Sequence, residues 1–422
     1  MNREIGQPLQ STANTGQITT RLWFAFAVCF LGNVFSGLMS MLMPVYLPVV
    51  VQDLSGTVNP DDMNYISAYI NAIYLAGWTI GGFTWGLISD RIGRVRSINS
   101  ALALFGVLTL LIRYAPSWEF VVALRFLSGF VVGGVLVITP TFLSEIWPTK
   151  TRSVILGIDS IGFPVGIFLS GAVNYLVSDW RSGFLAGLLP LALALFGLLV
   201  LEESEGWSAA RKKSSHTAKF SQDDRKNLLR GAIIFGSMLI GLWGMFSWIP
   251  TWVQSLVSAE GQSERGLSMM LLGAGGLAGG FVSGWLSNAL GVRRAMLTCF
   301  SGCLAMSVLL FGMNAAFSSI IYVELAVLSV FFGISQGLLS IYIPQLFPFH
   351  IRGTATGFCF NVGRIVTTAS VFFVGIVVTS LGGYGNTLLA FAGIFVAGII
   401  TVYFTQDQRQ IQLTEDGAHQ ST

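Results

Sequence analysis

Charge is what this sequence has least of. Of 422 residues only 10% are Asp, Glu, Lys or Arg, against roughly 25% in an ordinary soluble domain, while 53% are apolar. So few charges cannot cover so much apolar surface in water, and lipid is the solvent the composition calls for. Histidine is scarce too: His216, His350 and His419 all lie in connecting or terminal segments. No metal-ligand spacing and no nucleophile–base arrangement accompanies them, which argues against an enzyme, a metal site or a bound cofactor. The four cysteines, Cys29, Cys299, Cys303 and Cys359, sit inside apolar runs and read as small packing residues. No Asn-x-Ser/Thr sequon occurs, which favours a bacterial origin. The first 21 residues are polar and lack the basic–apolar–small pattern of a cleaved signal. The net charge of +3 is spread over loops, so nucleic acid is not an expected partner.

What is present in quantity is glycine and long apolar runs. The 49 glycines suit helices that pack through small residues in lipid, and Gly77/Gly81, Gly129/Gly133, Gly162/Gly166 and Gly280/Gly284 have the small-xxx-small spacing. A helix needs about 20 apolar residues to cross the hydrocarbon. That ruler places spans near 22–50, 66–88, 97–115, 119–145, 153–177 and 183–201, then 231–256, 268–290, 295–314, 319–346, 353–380 and 385–405. The expected fold is therefore an all-α membrane protein: twelve transmembrane helices in two pseudo-symmetric six-helix bundles. Its parts are an N-terminal tail (1–21), a first bundle (22–201), a linker (202–230), a second bundle (231–405) and a tail (406–422). The linker reads as a solvated connector with one short surface helix near 221–229. With the N-terminus inside, 18 of the 23 basic residues fall on the cytoplasmic side, and both termini are then cytoplasmic in an inner membrane.

Between spans two and three runs a charged hairpin: Gly86, Leu87, Ile88, Ser89, Asp90, Arg91, Ile92, Gly93, Arg94, Val95, Arg96. A worn copy, Gly284 to Arg294, joins the second and third spans of the second half. A further run leads from span four into its loop: Arg125, Gly129, Gly133, Pro140, Glu145, Pro148 and Arg152, with Gly333, Gly337, Pro344, Gln345, Pro348 and Arg352 at the corresponding place later. On these residues the chain resembles the major facilitator superfamily over nearly its whole length. The segment Trp243 to Trp252 is similar to that of proton-linked carriers of organic acids. Where those carriers often hold an acid in span one, this chain has Asn33, Ser36 and Ser40. The resemblance implies two halves rocking around a central site that opens alternately to each side.

The charges suggest roles. Asp90 could sit at the positive N-terminus of a neighbouring helix, and Arg91 and Arg94 could pair with Glu145, with Arg152 beside them. Such a cluster would latch the cytoplasmic side; the other reading is a solvated, topogenic loop. In the copy, Asn288 and Gln345 are neutral and give no salt bridge, so the latch is expected to be stronger in the first half.

Charges within spans are costly, by about 2.5–3.5 kcal/mol each on insertion scales, and suggest function. Arg364 lies near mid-membrane with Asn361 and Thr368 on its face, and reads either as a clamp for an anionic substrate or as one half of a structural ion pair. Asp159 reads either as a proton-coupling or substrate-contacting carboxylate or as the partner of Arg152 or a loop arginine. Arg125 and Glu324 read as structural. Trp243, Phe246 and Gln336 are the further substrate candidates, followed by Asn33, Tyr74, Ser40 and Ser160. The resulting expectation is a monomeric secondary carrier in the lipid bilayer, bringing in a small organic anion with protons. A sugar or amphipathic drug carrier of the same frame stays open, and a transport-inactive sensor is the remote alternative.

Overall fold

The computed structural model describes residues 20–56, 59–148, 150–203, 222–257, 261–347 and 352–405, and every regular element among them is helical. The first half carries α1 (Thr20–Ser55), α2 (Pro60–Ile92), α3 (Arg94–Arg113), α4 (Trp118–Ile146), α5 (Arg152–Leu176), the short α6 (Trp180–Gly183) and α7 (Leu188–Val200). The second carries α8 (Gln222–Phe246), α9 (Ile249–Leu256), α10 (Gln262–Leu290), α11 (Val292–Met313), α12 (Ile320–Gln345), α13 (Arg352–Val377), α14 (Tyr384–Ala392) and α15 (Ile394–Phe404). Eleven helical stretches are long and apolar enough to cross a membrane. The outer surface matches: Leu195, Leu198 and Leu199 stand 66%, 65% and 84% exposed, which only a lipid-facing helix tolerates in numbers.

The expected count of twelve is met by eleven stretches on length and composition, because α2 is not among them. This 33-residue helix is diluted by Asn64, Tyr65, Tyr69, Asn71 and Tyr74, and its polar side meets the second half of the chain. The separate helix expected near 221–229 is absent as such. Gln222 to Phe246 is one continuous helix, so those polar residues form the first turns of a span rather than a surface element.

Local chemistry explains the boundaries. Asn59 caps α2 by accepting from the Asp61 N–H, Pro60 starts the helix, and Asp61 and Asp62 fill its first turn. Gly93 ends α2 at φ 106°, a conformation that costs other residues dearly, and α3 begins on the next residue. Gly291, at φ 78°, makes the same turn between α10 and α11. The hairpin and its worn copy are thus one backbone device used twice.

Packing repeats as well. A Cβ on Gly77 or Gly81 would run into the carbonyl oxygen of Phe126 or Phe130, as one on Gly275 or Gly279 would run into that of Ala326 or Val330. Gly37 meets the backbone of Phe163, and Gly236 meets that of Gly363. Small residues let these backbones approach, which is how helices associate where lipid removes the hydrophobic drive.

Among the described residues the two halves pack closely at one end and part toward the other. A Cβ placed on Gly171 would come within 2.4 Å of the Gly266 carbonyl oxygen, and one on Gly273 within 2.3 Å of the Phe168 nitrogen. Toward the hairpin end the gap widens: 3.6 Å from Gly276 to Pro164 and 3.9 Å from Gly280 to Ile161, with nothing within 4 Å of Gly284 or Gly157. The pair α2 and α13 diverges likewise, from 2.6 Å between Gly375 and Ala68 to open space at Gly86 and Gly357. Hydrogen bonds tie the closed end: Gln262 Nε2 to the Asn174 carbonyl (2.7 Å), Thr379 Oγ1 to Asp61 Oδ1 (2.5 Å), Tyr384 to Asn64, and Asn71 Nδ2 to the Ser247 carbonyl (3.4 Å). The molecule is a V, shut at the far end and open at the hairpin end.

Replacing Gly171 with Val should prop the far end apart. Overpacking costs about 1–3 kcal/mol, enough to shift the balance about five- to a hundred-and-fiftyfold toward a far-open state. A cysteine at Asn71, now buried in that closure, should then label at least about fivefold faster with a membrane-impermeant maleimide. An unchanged labelling rate would contradict the role given to this contact.

Candidate functional site

Along α13, the helix facing α2 across the V, Arg364 occupies the level at which the halves begin to part. Its Nη1 lies 3.7 Å from the Cβ position of Gly82 on the opposite half. Among the described residues no carboxylate lies within salt-bridge distance of it, so the structural ion pair is not formed there. Two further candidates, Asn361 one turn before Arg364 and Gln336 of α12, also have spare bonding capacity. Asn361 donates to the Gly357 carbonyl at 2.8 Å but its Oδ1 is buried without a partner, and Gln336 Nε2 is buried without one too. Buried polar atoms are rarely left so, and a ligand or water is the usual complement. Thr368 donates back to the Arg364 carbonyl at 2.9 Å and is spent in its own helix.

Trp243 reaches this level from α8. It meets Trp78 edge-to-face, with centroids 4.9 Å apart at 83°, and lies 6.2 Å from Phe163. Neither Trp78 nor Phe163 is marked by charge or motif. The available signal was position: Trp78 precedes Gly82 by one helical turn and shares its face.

Other candidates lie deeper in the halves. Phe246 is a correction: it is 2% exposed and packs edge-to-face on Phe332 at 5.2 Å, inside the second half, rather than lining the cleft. Tyr74 is also corrected, since its hydroxyl bonds Ser40 Oγ within the first half and its ring lies 3.7 Å beneath the Arg125 guanidinium. Arg125 donates to the Met39 and Ser40 carbonyls (3.3 and 3.5 Å). Pro44, lacking an N–H, leaves the Ser40 carbonyl without its intrahelical donor. The buried arginine therefore repairs a proline break in α1.

Asp159 is 2% exposed and sits between α1, α4 and α5. Asn33 Nδ2 donates to its Oδ2 at 2.6 Å, Thr139 donates to Asn33 Oδ1 at 3.4 Å, and Asp159 Oδ1 has no partner. The expected pairing with Arg152 is absent: Arg152 donates through Nε and Nη2 to the Trp147 carbonyl, at 3.2 and 3.1 Å. Ser160, beside it in sequence, is exposed and bonds the Gly157 carbonyl at 2.7 Å. Glu324 accepts from Asn314 at 2.7 Å near its helix start.

The latch differs from expectation in who takes part. Arg94 gathers both acids, with Asp90 at 2.7 Å and Glu145 at 3.1 Å, plus Ser89 Oγ at 2.7 Å. Arg91 is exposed and joins no described ion pair. The acid at the start of α3 is Glu203, not Asp90: both its carboxylate oxygens accept from the Val95 N–H, at 2.8 and 3.2 Å. All these groups belong to the first half, and they are joined while the hairpin end stands open. These contacts brace α2, α3 and α4 against one another within the first half. Glu145→Gln should cost about 1–2 kcal/mol of stability, since Arg94 is only 12% exposed and keeps a buried charge. Asp90→Asn, at a 61% exposed side chain, should cost under about 0.5 kcal/mol. Thermal unfolding of both variants checks the order; equal losses would overturn it.

A duplicated helical frame, closed at one end and open at the other around a cation with no ion-pair partner among the described residues, is the architecture of a membrane carrier. The chain belongs to the Major Facilitator Superfamily, which it matches over residues 28–371. It is a secondary transporter, not an enzyme. It is 25% identical over 420 residues to the cis,cis-muconate transport protein of Acinetobacter baylyi, covering 95% of this chain and 98% of that one. It is 26% identical over 404 residues to the gallate transporter of Pseudomonas putida, covering 85% and 86%. Its fold is similar to the inward open conformation of the xylose transporter XylE from E. coli, with a TM-score of 0.78 at 16% identity over 92% of this chain and 97% of that one.

Proposed function

We propose that this carrier brings a small organic anion, a carboxylate, into the cell together with protons. The observation that carries the reading is Arg364: a guanidinium at mid-helix, in the gap between the halves, with no acid in salt-bridge distance among the described residues. A planar fork of donors there matches a carboxylate bidentately. Muconate and gallate, the cargoes for which two relatives are named, are both carboxylates. Asp159, buried and half-satisfied, is the proton-coupling group in this reading.

In the same reading α2 is the twelfth span, its polar face turned inward, and residues 22–201 and 231–405 are two six-helix bundles joined by 202–230. The excess of Lys and Arg puts the hairpin end and both termini in the cytoplasm of an inner membrane. The V is then the inward-facing state, and the protein works as a monomer.

A thermal-shift screen of purified protein against organic acids and sugars, at two pH values, tests the cargo class. A ligand that binds only the folded state raises the melting temperature. Carboxylates should do so in the wild type and not in Arg364→Ala. Protection by sugars, or protection that survives Arg364→Ala, would overturn the reading.

A further inference from the structure

Three rings meet where the V narrows to its vertex: Trp78 of α2, Phe163 of α5 and Trp243 of α8. Trp78 and Trp243 stand 4.9 Å apart at 83°, and Phe163 closes the triangle at 5.9 and 6.2 Å. Two rings come from the first half and one from the second, so the cluster is itself a contact between halves. Its level is set from both sides. Toward the far end, Asn71 bonds the Ser247 carbonyl and Phe168 abuts the Gly273 backbone. Toward the hairpin end, one turn along α2, Gly82 faces Arg364, and Pro164, next to Phe163, has already drawn away from Gly276. The rings lie beneath the cation and above the closure.

Two further facts bear on what they do. Trp78 and Trp243 are 8% and 5% exposed, yet neither indole N–H donates to an atom of the described residues. Neither indole nitrogen is among the fully buried atoms left without a partner, as Trp85 Nε1 is, so both N–H groups keep an opening beyond the packed core. Trp78 lies four residues before Gly82 on α2, so the rings sit about one helical turn, 5.4 Å, from Arg364's level. That is the reach of a carboxylate bonded to the guanidinium with its carbon frame lying on the rings.

We infer that Trp78 and Phe163, with Trp243, are specificity-determining residues: they form the floor of the site, which selects flat acids over puckered ones. The same three rings seal the cleft, because the far end cannot part without separating Trp78 and Phe163 from Trp243. This rests on the reading of Arg364 as the carboxylate clamp. A flat frame can lie against ring faces and edges at van der Waals distance, whereas a saturated ring or chain of equal length stands off them.

The test compares matched acids on the full-length protein: benzoate with cyclohexanecarboxylate, and cis,cis-muconate with adipate. Affinities are read by thermal shift and by isothermal titration for the wild type, Trp78→Ala, Trp78→Phe, Phe163→Leu and Arg364→Ala. The wild type should favour the flat member of a pair. Trp78→Ala and Phe163→Leu should each bring that preference down at least fivefold, chiefly by weakening the flat acid, and Trp78→Phe should retain most of it. A flat-to-puckered ratio unchanged in both Phe163→Leu and Trp78→Ala, with Arg364→Ala still abolishing binding, would overturn the floor and leave the clamp standing. Binding of these acids that ignores Arg364→Ala, or no binding to the wild type, would instead remove the clamp, and the floor with it.

Discussion

Arg364→Ala should weaken carboxylate binding by a hundredfold or more while leaving the unliganded protein at least as stable as before. The two halves of that result have separate causes. Hydrogen bonds to charged groups contribute about 1.5–3 kcal/mol each, and a bidentate pair loses both at once. A loss of about 3–4 kcal/mol is a hundred- to a thousandfold in affinity. The free protein, by contrast, holds a guanidinium within a span with no carboxylate in salt-bridge distance among the described residues. Such a charge costs about 2.5–3.5 kcal/mol on insertion scales, and alanine removes that cost. Arg364→Lys keeps the charge but not the fork, and should fall between, about tenfold weaker than wild type. Calorimetric titration and unfolding of the three proteins measure both signs. A large loss of unliganded stability in Arg364→Ala would mean that the arginine is structural after all.

Asp159→Asn should abolish accumulation driven by a pH gradient and leave exchange of cargo across the membrane intact. The substitution is nearly isosteric, and the amide can still bond Asn33, which now donates to the carboxylate at 2.6 Å. What it removes is the capacity to take up and release a proton at a site 2% exposed and without a cation within salt-bridge distance among the described residues. With one proton per monovalent anion, one pH unit is 1.36 kcal/mol, a tenfold accumulation at equilibrium. The variant should therefore drop from about ten to one in that ratio while its counterflow rate stays within a few-fold of wild type. Accumulation that persists in Asp159→Asn would place the coupling group elsewhere.

Much of the frame was legible in the residues. Long apolar runs force helices in lipid, where every backbone polar group must be satisfied internally. The two copies of the hairpin correctly marked a repeated turn, because glycine is what a positive φ requires at Gly93 and Gly291. Arg364 stood out because an ionisable group within a span is rare. What could not be read was rotation about each helix axis. A helix apolar on all sides carries no stripe to say which face is inward, so Trp243 and Phe246, three residues apart, looked alike. One faces Trp78 across the halves and the other packs on Phe332. The same gap hid Trp78 and Phe163.

Polar partners were legible as types rather than as pairs. Arg91 and Arg94 were equivalent candidates for Glu145, and only the turn at Gly93 puts Arg94 within reach. Glu203 looked like part of a solvated connector, yet it caps α3 from over a hundred residues away. Arg125 could not be linked to Pro44 without knowing that α1 and α4 lie side by side.

The central claim is that an organic anion crosses the membrane by way of Arg364. Its most direct measurement is net uptake of radiolabelled benzoate and cis,cis-muconate into sealed proteoliposomes under an imposed inward proton gradient. Saturable uptake is expected in the wild type, raised by the gradient and reduced at least a hundredfold in Arg364→Ala. Uptake no greater than in protein-free vesicles, or equal uptake by Arg364→Ala, would contradict it.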